Sequence, residues 1–230
     1  MKHVHFESCA STQTHLKSEL GNPGYQDENI VVSTSNQTDG IGRAGNEWLK
    51  STHSLAFSFT LSPNEEMTLT SIEIGILVCE FFKQNFHKNI TLKWPNDLMI
   101  TPNEKCGGII CHLINPKKLV IGIGINLLGQ INLDKNYVAS SIFTKEDNLL
   151  NFEKELPPKI YQYILNNRLG PSEIIKSWEK LCCHQSSSVK IIDRTSNING
   201  IFHGIDEKGC ALIEDDGKIK KIISGSLFID

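Results

Sequence analysis

The chain has 230 residues, of which 39% are hydrophobic and 21% charged, and its formal net charge is −3. This composition is typical of a globular protein, and the slight negative charge argues against a general nucleic-acid binder, which is usually basic. The first residues lack the apolar stretch of a signal peptide, and the longest apolar run, residues 119–128, is too short to span a membrane. Seven irregularly spaced cysteines indicate reduced thiols, so we expect a cytoplasmic protein. From the charge and the lack of a membrane span, we expect it to bind neither nucleic acid nor membrane.

The N-terminal part predicts a strand followed by a helix. A short strand is expected around His5, and Ser11 is expected to cap a helix that runs to Glu19 and ends at Gly21. The hydroxyls of Ser11 and Thr12 therefore stand at a helix start, where exposed backbone N–H groups can bind a polar ligand. A plain helix cap explains them equally well.

A glycine-rich loop follows a strand predicted for residues 30–32. Gly40, Gly42 and Gly45 match the spacing of a dinucleotide-binding fingerprint, but that fingerprint requires a helix to begin at the glycines. Alternating apolar residues over 54–61 predict a strand there instead, so we reject the dinucleotide site. The loop is predicted to be either a flap that folds over a ligand or a long surface loop.

Three later segments have helical patterns. The longest covers residues 65–86 and has apolar residues spaced for one buried face. That face is predicted to contain Met67, Ile74, Leu77, Val78, Phe81 and Phe82. A second helix is predicted for residues 147–167, interrupted at Pro157 and Pro158, and Ser172 is expected to cap a last helix that ends near residue 181.

Charged and amide side chains gather at the ends of short strands in the middle of the chain. Residues 91–94 predict a strand that Pro95 ends, residues 97–100 predict the next strand, and residues 109–114 a third. The polar side chains at these strand ends are Lys93, Asn96, Asp97 and Lys105. Cations and a carboxylate fixed on rigid strands are suited to phosphates and a metal ion, although a hairpin with ordinary surface charges gives the same spacing.

Residues 118–127 predict a fully buried strand. Its two glycines, Gly122 and Gly124, leave room for a closely packed ligand or for another backbone. Asn126 is polar where the run is otherwise apolar. It is therefore either a turn residue or a ligand contact.

The C-terminal part consists of short strands. From residue 188 onward, five short apolar segments separated by turns predict a small β-barrel of the SH3 type. The preceding residues 182–184, Cys-Cys-His, are not expected to bind a metal, because adjacent cysteines rarely chelate one ion well. We expect two domains, residues 1–184 and residues 185–230.

In this order, the motifs make the chain similar to the biotin protein ligases, which attach biotin to carboxylase carrier domains. The motifs are Ser11-Thr12, the flap Gln37-Thr38-x-Gly40-x-Gly42-Arg43-x-Gly45-x-x-Trp48, Lys93-Trp94-Pro95-Asn96-Asp97, Lys105-x-x-Gly108-Ile109 and Gly122-x-Gly124-Ile125-Asn126. The resemblance covers nearly the whole chain. It implies an α+β fold in which a mixed, class II synthetase-like β-sheet has helices on one face and is followed by an SH3-like barrel.

The resemblance also implies the substrates and partners. The enzyme would use ATP, biotin and Mg²⁺, form biotinyl-5′-AMP with release of pyrophosphate, and transfer biotin to a lysine of a biotin carboxyl carrier domain of acetyl-CoA carboxylase or a related carboxylase. Members occur as monomers and as homodimers. Because this chain begins directly at the catalytic part, no DNA-binding domain is expected.

The same resemblance assigns roles to the motif residues. The expected catalytic set is Lys105, Arg43, Asp97 and Lys93. The expected biotin contacts are Ser11, Thr12, Gln37, Gly40, Arg43, Lys105, Gly108, Gly122 and Gly124. The expected ATP contacts are Arg43, Trp48, Lys93, Asn96, Asp97, Lys105 and Asn126, with Trp48 stacked near the adenine. Asp97 is expected to hold Mg²⁺ indirectly and to orient the attacking lysine amine or accept its proton.

One position departs from the family pattern, and two other functions compete with the first. Ile41 stands where the family's flap usually has an arginine; we expect a backbone contact there, whereas a side-chain contact would make this enzyme release more adenylate. The alternatives are a lipoate or octanoyl protein ligase of the same fold and a non-catalytic biotin sensor. The flap and the small barrel favour biotin, and the presence of Lys105 and Asp97 favours catalysis.

Overall fold

The computed structural model of the protein describes residues 1–22, 29–45, 48, 50–129, 138–144, 149, 151–193 and 197–229. The strands of these residues are β1 (Lys2–Cys9), β2 (Ile30–Gln37), β3 (His53–Leu61), β4 (Thr91–Lys93), β5 (Asp97–Thr101), β6 (Glu104–Asn115), β7 (Lys118–Leu128), β8 (Val138–Ala139), β9 (Ser188–Ile192), β10 (Asn197–Ile205), β11 (Ala211–Asp215), β12 (Lys218–Ile222) and β13 (Ser226–Ile229). The helices are α1 (Thr12–Glu19), α2 (Thr70–Phe86), α3 (Phe152–Asn166) and α4 (Pro171–Leu181).

The larger sheet has the strand order β1-β2-β3-β7-β6-β5-β4, with β8 beside β6. It is mixed, because β1 and β2 are parallel, β6 and β8 are parallel, and the other neighbours are antiparallel. Helices α2 and α3 bury their apolar residues against one face, which carries the main core. On the opposite face, Leu16 of α1 packs with Val32 and Val120. The expected mixed sheet is confirmed, and α1 leaves much of the second face open for a site.

The N-terminal helix follows its sequence signals. The backbone N–H of Thr14 donates to the Ser11 Oγ at 3.4 Å, so Ser11 caps α1 as predicted. Helix α2 begins at Thr70 and not at residue 65, and Met67 is 37% exposed, so its predicted place on the buried face is wrong. The reason lies in Asn64, whose backbone N–H donates to the Thr70 Oγ1 at 2.9 Å and folds the preceding segment back over the helix start.

Helix α3 contains two prolines and is not interrupted by them. The helix continues through Pro157 and Pro158, so the predicted interruption is wrong. The helix buries a continuous apolar face, and the Tyr161 hydroxyl donates to the Thr60 carbonyl at 3.0 Å. This packing offsets the cost of roughly 3 kcal/mol that an interior proline imposes on a helix. Residues 147, 148 and 150, at the predicted start, lie outside the described residues.

The last helix begins one residue before the predicted cap. Gly170 is the N-cap of α4 and Pro171 its first residue, so the prediction that Ser172 caps this helix is wrong. The Gly170 N–H donates to the Glu173 Oε2 at 2.9 Å. Proline suits the first helical position because its missing N–H would be unpaired there in any case.

The C-terminal strands form a second antiparallel sheet, in the order β12-β11-β10-β9-β13. This sheet confirms the expected SH3-like unit. Before it, the Cys183 N–H donates to the Leu92 carbonyl at 3.0 Å, so the connecting segment lies along β4. The division into residues 1–184 and 185–230 stays a prediction. None of the described helices is long and apolar enough to cross a membrane.

A buried ion pair fixes the segment that leads into α4. Glu73 of α2 is fully buried, and its carboxylate accepts from the Arg168 Nε at 2.7 Å and from the Leu169 N–H at 2.9 Å. We expect Arg168→Met to lower the free energy of unfolding by roughly 3–5 kcal/mol, because it leaves a buried carboxylate without its cation. Urea denaturation measures this loss. The double variant Arg168→Met/Glu73→Gln should recover part of it, and an Arg168→Met stability within 1 kcal/mol of wild type would contradict the argument.

Candidate active site

A row of small residues crosses the larger sheet on the face opposite α2 and α3. Ala56 of β3 pairs with Gly124 of β7, Gly124 pairs with Gly108 of β6, and Gly108 pairs with Asp97 of β5. Side chains of directly paired residues point to the same face. Because neighbouring strands lie about 4.8 Å apart, the row forms a trough roughly 14 Å long that ends at a carboxylate.

Opposite charges meet at that end of the trough. Lys105 Nζ lies 2.6 Å from Asp97 Oδ1, and Lys93 Nζ lies 3.7 Å from Asp97 Oδ2. The three side chains are only 20%, 11% and 17% exposed for Lys105, Lys93 and Asp97, so water screens their interactions weakly. Two ammonium groups therefore share one carboxylate, which leaves net positive charge for an anionic ligand.

Arg43 adds a third cation above the trough. Its Nη1 donates to the Asn96 Oδ1 at 3.4 Å and to the Gly225 carbonyl at 3.2 Å. Burial lowers the pKa of the Arg43 guanidinium, nearby carboxylates oppose that shift, and arginine stays charged in proteins. Asn96 is itself fixed, since its Nδ2 donates to the Ile109 carbonyl at 2.7 Å. The strand end thus orients both the amide and the guanidinium.

Neutral polar groups occupy the other end of the trough. The Thr12 N–H donates to the Gln37 Oε1 at 3.0 Å, and the Thr12 and Ser58 hydroxyls lie 2.9 Å apart. Gln13 and Ser11 stand beside them at the start of α1. A ligand in the trough would therefore meet cations at one end and uncharged donors and acceptors at the other.

Trp48 lies directly on the bare row. A Cβ atom placed on Gly124 would lie 2.7 Å from two atoms of the Trp48 indole, so the ring lies directly against the glycine. The Trp48 N–H donates to the Gly40 carbonyl at 2.9 Å, which closes the glycine-rich loop. Gly40 is crowded, because a Cβ there would lie 2.9 Å from the Gln37 Nε2. The predicted flap thus reaches the trough, although residues 46 and 47 lie outside the described residues.

These groups line one cavity of about 600 Å³, a size typical of small-molecule sites. The predicted site residues that line it are Ser11, Thr12, Gln37, Arg43, Trp48, Lys93, Asn96, Asp97, Lys105, Gly108, Gly122 and Gly124. Ile41 also lines it and is 49% exposed. The structure therefore brings together residues that are as far apart as 113 positions in the sequence, from Ser11 to Gly124.

Two predicted site residues lie outside the cavity lining. Gly40 stands behind it, against Trp48 and Gln37. Asn126 is buried, and its Oδ1 accepts from the Ser51 N–H at 2.9 Å while its carbonyl accepts from the Ile142 N–H at 3.1 Å. In this conformation Asn126 anchors the end of the flap loop, and its predicted contact with ATP stays a prediction.

Several lining residues were missed from the sequence. Ser58 had a signal, since it lies on the alternating polar positions of β3 and pairs with Gly122. Gln13 directly follows the two predicted hydroxyl residues of the helix start. Residues Ser226–Phe228 of the second sheet had no local signal, because only the docking of the two domains brings them to the cavity.

The described residues contain no group of three His, Cys, Asp or Glu side chains placed to hold a metal ion. Asp97 is the one carboxylate among the described residues that line the cavity. His184 is not available as a ligand: it is fully buried with its ring 4.2 Å from that of Phe202. Burial, assisted by the charge of Lys93, lowers the pKa of His184 to about 3.

The chain matches two family models. Residues 5–127, more than half of the chain, match the biotin/lipoate A/B protein ligase family. Residues 187–229 match the C-terminal domain of biotin protein ligases. The first match contains the trough and its cations, and the second corresponds to the SH3-like sheet.

Curated relatives and solved structures agree with these matches. The chain is 28% identical to the bifunctional ligase/repressor BirA of Escherichia coli, over 94% of this chain and 70% of that protein. It is 25% identical to BirA of Bacillus subtilis, over 98% of this chain and 74% of that protein. Among solved structures, the biotin protein ligase from Aquifex aeolicus in complex with biotin and ATP superimposes with a TM-score of 0.76 at 26% identity, covering 100% of this chain and 99% of that one.

The contact between Trp48 and Gly124 gives a test of the site's geometry. We expect Gly124→Ala to displace the Trp48 indole toward solvent, because the added methyl group would lie 2.7 Å from the ring. The tryptophan emission should shift to the red and become easier to quench with acrylamide. Trp94 and Trp178 are each 1% exposed and should contribute an unchanged signal.

The matched control is Gly124→Ala in a Trp48→Phe background, where neither change should appear. Emission and quenching equal to those of the wild type in the single variant would mean that Trp48 does not rest on Gly124.

Proposed function

Because the chain belongs to the biotin/lipoate A/B protein ligase family, we propose that it is an ATP-dependent biotin protein ligase that modifies a lysine of a biotin carboxyl carrier domain. The match of residues 187–229 to the C-terminal domain of biotin protein ligases supports biotin over lipoate. One structural observation carries the proposal. The trough ends in a cluster of three cations around one carboxylate, which suits the meeting of an acid with a nucleotide phosphate.

In the first step, an oxygen of the biotin carboxylate attacks the α-phosphorus of ATP. A bond forms between this carboxylate oxygen and the α-phosphorus. The bond between the α-phosphorus and the oxygen that bridges to the β-phosphate breaks, and pyrophosphate leaves with that electron pair. Two anions must approach each other, so the barrier depends on fixed positive charge. Lys105 and Arg43 are assigned to the carboxylate and the reacting phosphate, and Lys93 to the phosphates that leave.

The neutral end of the trough is assigned to the biotin ring. The ureido group presents N–H donors and a carbonyl acceptor, which the oxygen of Gln37 and the hydroxyls of Ser11 and Thr12 complement. Gly108, Gly122 and Gly124 line the cavity without side chains of their own, and the apolar part of the ligand is assigned to the space beside the Trp48 indole that covers Gly124. This orientation directs the carboxylate toward Lys105.

The product, biotinyl-5′-AMP, is a mixed anhydride that water hydrolyses. The site must therefore exclude water until the carrier arrives, and the glycine-rich loop and Ser226–Phe228 both border the cavity. Trp48, which packs on the floor of the trough, is assigned to the adenine ring, where aromatic stacking needs a flat partner. Ile41 is expected to contribute through its backbone, since its side chain is half exposed.

In the second step, the carrier lysine amine attacks the acyl carbon, an amide bond forms and AMP leaves with the electrons of the broken anhydride bond. The amine must arrive without its extra proton, and Asp97 is the group assigned to orient it or to accept that proton. Asp97 Oδ2 makes the longer of the two lysine contacts, at 3.7 Å, and is the oxygen better placed for this role.

Mg²⁺ would enter with ATP as part of the substrate. Magnesium bound to nucleotides takes most of its ligands from phosphates and water, with one or two protein carboxylates. A single lining carboxylate, Asp97, fits that pattern. The metal would neutralise phosphate charge during the first step.

Mass spectrometry of an isolated carrier domain tests the function directly. The domain is incubated with the protein, ATP, Mg²⁺ and biotin, and the expected result is the mass increase of one biotin on one lysine. Competition between labelled biotin and lipoate then separates the proposal from a lipoate ligase. Ligand binding without pyrophosphate release would instead indicate a sensor.

Lys105 should be required for adenylate formation. We expect Lys105→Ala to lower the rate of biotin-dependent pyrophosphate–ATP exchange by roughly 10²–10³-fold, the loss typical of one electrostatic stabilising group. Lys159→Ala is the matched control, because Lys159 is 61% exposed on α3 and pairs only with Glu155 among the described residues. Near-normal exchange by Lys105→Ala would reject the assigned role of the cation cluster.

A further inference from the structure

We propose that Trp94 is a positioning residue that fixes the second sheet against the candidate active site, so that the enzyme retains its adenylate intermediate. Trp94 does so through residues 206–210, the turn between β10 and β11, which we call the anchor turn. This inference rests on the proposed biotin protein ligase function and deepens it, because it assigns a duty to a tryptophan for which the motifs gave no role.

The anchor turn is stiffened by its own hydrogen bonds. The Asp206 Oδ1 accepts from the backbone N–H groups of Lys208 and Cys210, each at 2.9 Å. The Asp206 Oδ2 lies 2.9 Å from the Lys221 Nζ of β12. An aspartate that accepts from the backbone of its own turn favours one conformation of that turn. The anchor turn is therefore a firm point of the second sheet.

Two side chains from the part of the chain with the larger sheet hold this turn. The Trp94 Nε1 donates to the Gly209 carbonyl at 3.0 Å, and the Thr68 hydroxyl donates to the neighbouring Lys208 carbonyl at 2.6 Å. Gly209 has a φ of +75°, and a Cβ placed on it would lie 2.9 Å from the Ile72 Cδ1. Glycine thus lets the turn present its carbonyl to Trp94 while it packs against the start of α2.

Trp94 belongs to the strand end that carries the charged groups. It directly follows Lys93, the last residue of β4, and lies two positions before Asn96. Its side chain is 1% exposed and is part of the main core. Because the ring is fixed by this packing, its hydrogen bond to Gly209 holds the second sheet in place relative to the cation cluster.

A different part of the second sheet borders the cavity. Residues 226–228 line it, and the neighbouring Gly225 carbonyl accepts from the Arg43 Nη1 at 3.2 Å. Arg43 is assigned to the reacting phosphate, so a bound nucleotide competes for this contact. Gly209 does not line the cavity, and its contact with Trp94 has no such competitor. The anchor turn therefore keeps the wall of residues 226–228 in place when Arg43 turns to the phosphate.

The first experiment removes the donor and keeps a buried aromatic ring. Trp94→Phe should raise the rate at which biotinyl-5′-AMP escapes from the protein by roughly fivefold or more, because the Gly209 carbonyl loses its partner and the wall can shift. The adenylate is formed from biotin and α-labelled ATP, an excess of unlabelled substrates is added, and samples are filtered at intervals. A general loss of structure would lower the amount of adenylate formed, whereas a displaced wall raises its rate of escape.

Trp178→Phe is the matched control for this variant. Trp178 is also 1% exposed, but its Nε1 has no hydrogen-bond partner among the described residues. The control makes the same change of ring in the core without loss of a hydrogen bond. Its rate of adenylate escape should stay within twofold of the wild type.

The second experiment changes the anchor turn itself, away from the cavity. Gly209→Ala adds a methyl group 2.9 Å from the Ile72 Cδ1 and should raise adenylate escape as Trp94→Phe does. Gly217→Ala is its matched control, because Gly217 has a φ of +72° and a Cβ placed there meets nothing within 4 Å. Both alanines carry similar backbone strain, so a difference between them reports the docking contact.

The third measurement does not require the reaction. Cys210 lies in the anchor turn and is partly buried. Its alkylation by iodoacetamide, followed by mass spectrometry of peptides, should be faster in Trp94→Phe and Gly209→Ala than in the wild type and the two controls, because an undocked turn is more accessible.

Three results would overturn the proposal. The first is escape and alkylation in Trp94→Phe equal to those in Trp178→Phe, and the second is an effect of Gly217→Ala as large as that of Gly209→Ala. The third is faster escape in Trp94→Phe but not in Gly209→Ala, since Trp94 itself borders the cavity and could then act there directly. A wild-type protein that forms no adenylate from biotin would instead refute the proposed function, and the alkylation of Cys210 would still test the anchor turn.

Discussion

The absence of side chains along one row of the larger sheet is the constraint on which the site depends. The apolar core lies on the other face, where α2 and α3 pack, so the strands are stabilised without any need to fill this face. Ala56, Gly124 and Gly108 can therefore remain small, although glycine in a strand interior costs stability. A β-branched residue at either glycine would suit the strand better and would obstruct the trough.

The positive side chains at the end of the row can contact a ligand because the trough gives the ligand access to them. Lys93, Lys105 and Arg43 are partly or mostly buried around Asp97, so several positive side chains lie close together where water screens their repulsion weakly. An anion that enters the trough restores the balance of charge. Rigid strand ends hold the two lysines in place, and a hydrogen bond to the Gly225 carbonyl holds Arg43.

The sequence predicted those parts of the fold whose causes are local. The cap at Ser11, the strands and the SH3-like segment follow from neighbouring residues. The errors at Met67, Pro157 and Ser172 arose where tertiary packing or an unrecognised cap overrode local preference. The row itself was not predictable, because its register depends on strand pairing, and the β5–β6 pair has irregularities directly after Leu98. Ser58 was missed although its alternating position gave a signal, and Gln13 was missed because its place depends on how α1 packs on the sheet.

The segment Lys93–Asp97 both lines the cavity and contacts the C-terminal part of the chain. The sequence did not show which of its residues does which. Lys93 and Asp97 line the cavity, and the Trp94 Nε1 donates to the Gly209 carbonyl, between β10 and β11, at 3.0 Å. Arg43 likewise contacts both Asn96 and Gly225, the residue directly before β13. A movement of the C-terminal domain would therefore shift hydrogen-bond partners of the chemical groups directly. The second sheet thus forms one wall of the candidate site, and its packing against the larger sheet helps to position Arg43.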